Sequence, residues 1–137
     1  MKALVAFWSQ TGNTEAMANA IAEGLKDKYS VDIVNTNDKT PDVVGYDLIA
    51  LGCPAMGSEV LEEDVFEPFY QSIKEKLNKV KVILFGSYGW GDGEWMRNWQ
   101  EDVKGTGAIL YNDEGLAIQE DEDDIVNRCT EYAKGVE

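Results

Sequence analysis

The sequence predicts an α/β fold in which a parallel β-sheet is covered by helices on both faces. Short continuous apolar runs, typical of buried parallel strands, alternate with stretches whose apolar residues recur every three or four positions, as in amphipathic helices. The 137 residues are 44% hydrophobic, which is ordinary for a globular protein and sufficient for a core between two layers of helices. No repeat or low-complexity linker divides the chain, so we expect residues 1–137 to form one domain.

The first half of the chain contains three predicted strands. These are the apolar runs at residues 3–8, 31–34 and 47–53. A helix is predicted to begin near Thr14, because apolar residues then recur four apart. Its apolar face consists of Met17, Ile21 and Leu25. A short helical or turn segment is expected at residues 41–44.

The second half of the chain continues the alternation. Strands are predicted at residues 80–85 and 108–111, with residues 116–118 as a candidate continuation of the last strand. Three helices are predicted, with apolar faces formed by Phe66, Phe69, Ile73 and Leu77, by Trp95, Met96, Trp99 and Val103, and by Ile125, Cys129, Tyr132 and Val136. Pro68 fits its helix only within the first turn. The last helix is expected to start in the acidic run 121–124, where carboxylates favour the helix dipole.

The charge of the chain limits its partners. A formal net charge of −14 argues against nucleic acid and against an anionic membrane surface, because both attract clusters of lysine and arginine. Such acidity can serve solubility alone, or it can attract a soluble partner protein with a basic docking face. The chain shows no apolar run of transmembrane length and no signal-peptide pattern, so we expect a cytoplasmic protein. We also expect it to be a monomer.

The residue types exclude several kinds of catalysis. The chain contains no histidine, which removes Ser-His-Asp and Cys-His nucleophiles and histidine metal sites. Cys53 and Cys129 lack metal or redox spacing, and we expect both to be buried as small hydrophobic residues and not joined in a disulfide. Neither a metal site nor a catalytic residue is expected.

A polar run after the first predicted strand has the chemistry of a phosphate-binding loop. It consists of Ser9, Gln10, Thr11, Gly12, Asn13 and Thr14. A tight strand-to-helix turn directs the first N–H groups of the helix outward, and the helix dipole adds positive potential. The nearest basic residues are Lys2 and Lys26, so neutral donors would hold a single terminal phosphate without the lysine of a triphosphate site. A capped polar turn without a ligand is the alternative.

Two glycine-rich segments follow other predicted strands and should lie at the same sheet edge, because ligands of such sheets bind past the carboxyl ends of the strands. Residues 52–59 carry Met56, and residues 85–93 carry Trp90 between two glycines. A methionine and a tryptophan facing each other would form a slot for a planar ring. The alternative for Trp90 is packing on a neighbouring helix, which is the role we expect for Trp95 and Trp99.

The chain resembles the short-chain flavodoxins over essentially its whole length. The most specific matches are Thr11-Gly12-Asn13-Thr14, Ala55-Met56-Gly57-Ser58-Glu59 and Gly86-Ser87-Tyr88-Gly89-Trp90-Gly91-Asp92-Gly93. The resemblance implies a three-layer, doubly wound, five-stranded parallel sheet of order 2-1-3-4-5. It also implies FMN as the cofactor. Flavodoxins are themselves an example of the rule that ligands bind where strand order reverses, so the FMN position comes with the resemblance.

The resemblance implies a role for each loop. Residues 9–14 would hold the FMN 5′-phosphate. Met56 and Trp90 would lie on the inner and outer faces of the isoalloxazine ring. The ring edges would meet Glu59 near N3, the Gly57–Ser58 peptide at N5, and the N–H groups of Gly89 and Gly91 at O2. The expected contact set is completed by Ala55, Ser87 and Tyr88.

The implied function is low-potential one-electron transfer, in which FMN shuttles between semiquinone and hydroquinone to serve redox partner enzymes. Nearby acids should lower the potential by opposing the charge of reduced flavin; we expect this of Glu59, Glu62, Glu63, Asp64, Asp92 and Asp113. One alternative is a small NAD(P)H-dependent flavin reductase, for which the sequence shows no nicotinamide fingerprint. The other is a phosphoacceptor signalling domain, which needs an aspartate where Cys53 stands.

Overall fold

A computed structural model of the chain describes residues 1–9, 12–56, 60–89, 91–120 and 122–136, and it places a parallel sheet between two helical layers. The strands are β1 (Lys2–Phe7), β2 (Ser30–Asn35), β3 (Leu48–Gly52), β4 (Lys81–Tyr88), β5 (Ile109–Leu110) and β6 (Leu116–Gln119). The helices are α1 (Asn13–Leu25), α2 (Phe66–Ile73), α3 (Glu94–Gly105) and α4 (Ile125–Lys134), with single 3₁₀ turns at Lys74–Lys76 and Tyr111–Asp113.

The sheet has the predicted order 2-1-3-4-5, and all of its pairings are parallel. The chain leaves β1 toward β2 on one side and leaves β3 toward β4 on the other. The carboxyl ends of β1 and β3 are therefore the point where strand order reverses, which is where a crevice forms in an open α/β sheet.

The fifth position of the sheet is occupied by two short strands. β5 pairs with the beginning of β4, at Lys81 and Val82, whereas β6 pairs with its end, from Phe85 to Tyr88. The segment between them leaves the sheet through the 3₁₀ turn. The predicted continuation at residues 116–118 is thus confirmed, although it follows a break in the strand.

Strand β4 ends three residues later than predicted. The sequence analysis assigned residues 86–88 to a loop, but they continue the strand. The reason is pairing on both sides: β6 lies along one side, and on the other the N–H groups of Cys53 and Ala55 donate to the carbonyls of Phe85 and Ser87, at 3.1 and 2.9 Å. This pairing outweighs the turn-like composition of the segment.

Other boundaries differ slightly from expectation. The segment at residues 41–44 is irregular and ends in a turn, not a helix, with Val43 buried in the core. α2 begins at Phe66, so Pro68 occupies its first turn as predicted, where a missing N–H has no consequence. α4 begins at Ile125, directly after the acidic run.

The core lies on both faces of the sheet. α1 and α4 cover one face, and α2 and α3 cover the other. The predicted faces of α1 and α3 are buried, including Trp95 and Trp99. Cys53 and Cys129 are buried free thiols on opposite faces of the sheet, as expected. No helix in the described part of the chain combines the length and apolarity needed to cross a membrane.

The close approach of α1 to α4 depends on Gly24. A β-carbon at this position would lie 2.4 Å from the carbonyl oxygen of Thr130 and 2.7 Å from the β-carbon of Ala133. Close by, the Thr130 hydroxyl donates to the carbonyl of Ala20 at 3.2 Å. Because a backbone carbonyl cannot move away alone, any side chain at position 24 would push the two helices apart.

We expect Gly24→Ala to destabilise the fold by about 1–3 kcal/mol through overpacking. Gly105→Ala is the matched control, because no atom lies within 4 Å of a β-carbon there. We expect that variant to gain about 0.5–1 kcal/mol, as alanine does over glycine in a helix. Denaturant unfolding of both variants measures the difference, and equal effects would contradict the close contact between α1 and α4.

Candidate functional site

Three loops meet at the carboxyl edge of the sheet: the first loop (residues 8–12, after β1), the second loop (53–65, after β3) and the third loop (89–93, after β4). The Trp8 N–H donates to the carbonyl of Gly52 at 2.9 Å, which joins the ends of β1 and β3. The Thr14 and Ser87 hydroxyl oxygens lie 3.4 Å apart, which joins α1 to the end of β4. The predicted convergence of the loops on one edge is therefore confirmed.

The N-terminus of α1 opens onto this edge. Gly12 caps the helix with φ 97°, a left-handed conformation that favours glycine, and no side-chain cap from the described residues bonds the first turn. The Gly12 N–H itself donates to the Ser9 hydroxyl oxygen at 3.1 Å. The next N–H groups, from Asn13 to Glu15, have no carbonyl partner within an α-helix, so they present positive potential to an anion.

Two buried hydroxyl groups border the helix N-terminus. The Thr14 and Ser87 side chains are each only 1% exposed, and each hydroxyl can both donate and accept. Paired with one another, they retain capacity for a further acceptor beside the helix end. This set of neutral donors fits a terminal phosphate, and no lysine or arginine occurs in the sequence between Lys2 and Lys26.

The second loop is held at both of its ends. At its entry, Ala55 donates to Ser87 as the sheet ladder continues past β3. Further on, the Met56 N–H donates to the carbonyl of Val60 at 3.0 Å, which links two described residues of the loop. Ala55 and Met56 are half-buried against the core formed with α2 and α3. The second loop therefore starts at a fixed position beside the hydroxyl and N–H donors at the start of α1.

Glu62 has a different role from the one expected. The sequence analysis placed it among the nearby acids that would oppose the charge of a reduced flavin, but its side chain is only 5% exposed. Its carboxylate accepts the N–H groups of Asp64, Val65 and Phe66, so it caps α2. Glu63 and Asp64 are exposed as expected. The available sequence signal was the position of Glu62, one turn before a helix whose first turn contains Pro68.

Aromatic packing and hydrogen bonds hold the residues at both ends of the third loop. The Tyr88 ring packs on Trp95, with ring centres 5.5 Å apart, and the Trp95 indole N–H donates to the carbonyl of Cys53 at 3.2 Å. Arg97 donates to both the carbonyl and the carboxylate of Asp92, at 2.8 and 3.0 Å, and so pins the loop end. These contacts fix the second and third loops relative to one another.

Glu120 is a site residue that the sequence analysis missed. Its N–H donates to the Tyr88 carbonyl at 2.9 Å, and its carboxylate lies against Gly89, 2.9 Å from where a β-carbon would stand. It is exposed and follows β6, which the sequence did not separate from β5. Asp113, by contrast, lies in the turn before β6, away from this edge, and forms an ion pair with Lys104 at 3.2 Å.

The predicted site residues divide into two groups. The structure places ten of them at this edge, namely Ser9, Gly12, Asn13, Thr14, Ala55, Met56, Ser87, Tyr88, Gly89 and Gly91. The other predicted residues lie outside the described part of the chain; they are Gln10, Thr11, Gly57, Ser58, Glu59 and Trp90. Their expected roles remain predictions from sequence.

A doubly wound sheet of order 2-1-3-4-5, with three loops converging on an open helix N-terminus, defines a flavodoxin-like protein. The family model described as flavodoxin matches residues 5–132. A flavodoxin from Clostridium beijerinckii is 43% identical over 96% of both chains, and one from Megasphaera elsdenii is 48% identical over 95% of this chain and 94% of that one. The solution structure of two-electron reduced Megasphaera elsdenii flavodoxin superposes with a TM-score of 0.84 at 46% identity, covering 96% of each chain.

The chain belongs to the flavodoxin family, whose members are flavin-binding electron carriers. This confirms the resemblance and the fold inferred from the sequence. It also confirms the electron-carrier interpretation, and nothing in the comparisons favours the NAD(P)H reductase alternative.

Burial should make Cys53 unreactive despite its place beneath the site. Burial raises the pKa of its thiol well above the ordinary value, although the Glu62 N–H favours the thiolate, and burial raises the pKa of Cys129 to about 12. Because the thiolate is the reactive form, we expect alkylation at pH 8 to be at least about tenfold slower in the native protein than in urea. Mass spectrometry of Cys53→Ala and Cys129→Ala separates the two sites. Rapid native alkylation of Cys53 would show that the second loop does not enclose it.

Proposed function

We propose that the protein binds FMN at the carboxyl edge and carries single electrons between redox partner proteins without turning over a substrate of its own. When bound, FMN supplies reversible one-electron chemistry. The observation that supports this proposal most directly is the meeting of α1 with the end of β4, where Thr14 and Ser87 lie 3.4 Å apart beside uncapped helix N–H groups.

The first loop and the start of α1 would hold the phosphate. Ser9, Gly12, Asn13 and Thr14 supply hydroxyl, amide and backbone donors, and Ser87 adds a hydroxyl from β4. Hydrogen bonds to a charged group contribute about 1.5–3 kcal/mol each, so a few of these donors suffice without a cation. Gln10 and Thr11 are proposed to add donors from the same loop.

The second and third loops would hold the ring. Ala55 and Met56 lie beside Ser87, Tyr88 ends the same strand, and Gly89 and Gly91 follow it, so the two loops start side by side. Met56 offers a polarizable face to a planar ring, and Trp90 is proposed as its aromatic partner. Gly57, Ser58 and Glu59 are proposed to meet the polar edge of the ring.

Exposed carboxylates around this edge would disfavour added electrons. Glu63, Asp64 and Glu120 are exposed on the second loop and beside the third. Their negative field should lower the potential of a bound flavin, and it should attract a redox partner with a basic docking face. We also propose that residues 1–137 act as a single-domain, cytoplasmic monomer.

FMN should bind far more tightly than riboflavin, which lacks the phosphate. Two net hydrogen bonds to the phosphate correspond to roughly 3 kcal/mol, or on the order of a hundredfold in dissociation constant. Thr14→Val with Ser87→Ala should weaken FMN binding at least tenfold and leave riboflavin binding nearly unchanged, measured by quenching of tryptophan fluorescence. Ser30→Ala, at the opposite end of the sheet, is the control. Equal affinities of the native protein for both flavins would exclude the phosphate assignment.

Neutralising the exposed acids should raise the second one-electron potential of the bound flavin. One carboxylate about 12 Å away in a water-like dielectric shifts a one-electron potential by roughly 15 mV, so Glu63→Gln, Asp64→Asn and Glu120→Gln together should give about 40 mV at low salt. The shift should shrink at high salt, because exposed charges are screened.

The matched control removes three exposed acids elsewhere, in Asp27→Asn, Glu75→Gln and Glu101→Gln. Redox titration at low and high salt measures both variants. We expect less than half of the shift in the control. An equal shift would mean that net charge alone, and not its placement at the edge, sets the potential.

A further inference from the structure

We propose that Glu62 is the positioning residue of the second loop, and that by holding the two ends of this loop it helps to set the gap between the two one-electron potentials of the bound flavin. The inference rests on the proposed function, since it concerns how the same site is held. Glu62 is one of four polar or charged residues in the described chain that are buried, and it bonds both to α2 and to the end of β3.

Glu62 accepts the first two backbone donors of α2. Its carboxylate accepts Phe66 N–H at 3.2 Å, and its carbonyl accepts Glu67 N–H at 2.9 Å. The next residue, Pro68, has no N–H, and Phe69 donates to Val65 within the helix turn. An α-helix leaves its first N–H groups unpaired, and here one residue outside the helix accounts for them. A carboxylate at this end also interacts favourably with the helix dipole.

The same residue reaches back to the entry of the loop. The Glu62 N–H donates to the Cys53 sulfur at 3.3 Å, and Cys53 is bonded to Phe85 of the sheet. The two ends of the loop are thereby joined nine positions apart in sequence. Between these two residues, the Met56 N–H donates to the Val60 carbonyl at 3.0 Å and forms an inner link. Two successive links thus flank positions 57–59 in sequence, and the outer one uses the backbone N–H of Glu62, the residue whose buried carboxylate caps α2.

The carboxylate, and not merely an acceptor, is required by this arrangement. Its two oxygens receive N–H groups from three successive residues, Asp64 to Phe66. A glutamine would keep one oxygen and direct an NH₂ group at donors that also need an acceptor. Buried N–H groups left without a partner would draw the start of α2 toward water, and the loop exit at Val60 and Leu61 would move with it.

Movement of the loop exit should change the flavin potentials. A protein shifts the potentials of a cofactor only through binding its oxidation states with different affinities. A loop whose two ends are held keeps its contacts in one place, whereas a loop whose ends can move relaxes around each oxidation state and discriminates less between them. Loosening the loop should therefore bring the gap between the two potentials closer to that of free FMN.

The test compares Glu62→Gln with Glu63→Gln, which removes the same charge from the exposed neighbour. We expect both variants to bind FMN, as judged by the visible spectrum. In Glu62→Gln, the gap between the two potentials should move toward that of free FMN by at least about 59 mV, which corresponds to a tenfold change in an equilibrium constant. In Glu63→Gln, the gap should move by much less. The effect in Glu62→Gln should persist at high salt, because the charge it removes is buried.

Hydrogen exchange in the FMN-free protein provides a readout that does not depend on the cofactor. Glu62→Gln should accelerate exchange of the Met56 and Phe66 amides relative to amides of β3. If Glu62→Gln does not fold, Cys53→Ala takes its place as the test. This variant removes the hydrogen bond between the Glu62 N–H and the Cys53 sulfur while leaving the cap of α2. It should move the gap between the two potentials in the same direction.

The outcomes separate this inference from the proposed function. If native protein fails to bind FMN, the proposed function fails, and the exchange data still test whether Glu62 holds the loop. If Glu62→Gln lowers stability but leaves the gap between potentials equal to that of Glu63→Gln, then Glu62 only caps a helix and the inference is wrong.

Discussion

The two-sided pairing of strand β4 is the constraint on which the rest of the site depends. β3 and then the residues that follow it lie along one side, and β5 and β6 lie along the other. Ser87 stands near the end of this strand and bonds with Thr14 through its hydroxyl and with Ala55 through its carbonyl. Because the start of α1, the second loop and the third loop all attach to the last residues of this one strand, the strand sets their relative positions.

The chain combines a strongly negative charge with a loop suited to an anion. The net charge is −14, yet the open end of α1 offers N–H and hydroxyl donors with no neighbouring acid before Glu15. Backbone dipoles act over short distances, whereas the exposed carboxylates act over the Debye length. A phosphate at the helix end can thus be bound locally while the overall field still opposes added electrons. Phosphate binding and the opposition to added electrons are both electrostatic, but they act over different distances.

Much of the fold could be predicted from sequence because its strands are continuous apolar runs and its helices have clear apolar faces. Prediction failed where tertiary pairing overrides local composition. Residues 86–88 begin with a glycine and a serine, which are typical of turns, and they become strand because β6 and residues 53–55 flank them. Glu62 stands beside Glu63 and Asp64, and nothing in composition marks it as buried. Its role follows from where Phe66 begins a helix, a boundary that periodicity alone leaves uncertain.

The break between β5 and β6 separates the edge of the sheet into two independent attachments. Each short strand has its own register on β4, and the turn between them carries Asn112 with φ 62° and is tied down through Gly115, whose N–H donates to Gln100 at 2.8 Å. Extra residues at the turn would be extruded from the sheet, since the entropy of closing a surface loop grows slowly with its length. The chain can therefore accept an inserted segment, such as a reporter peptide, at this point while β6 keeps its place beside Tyr88.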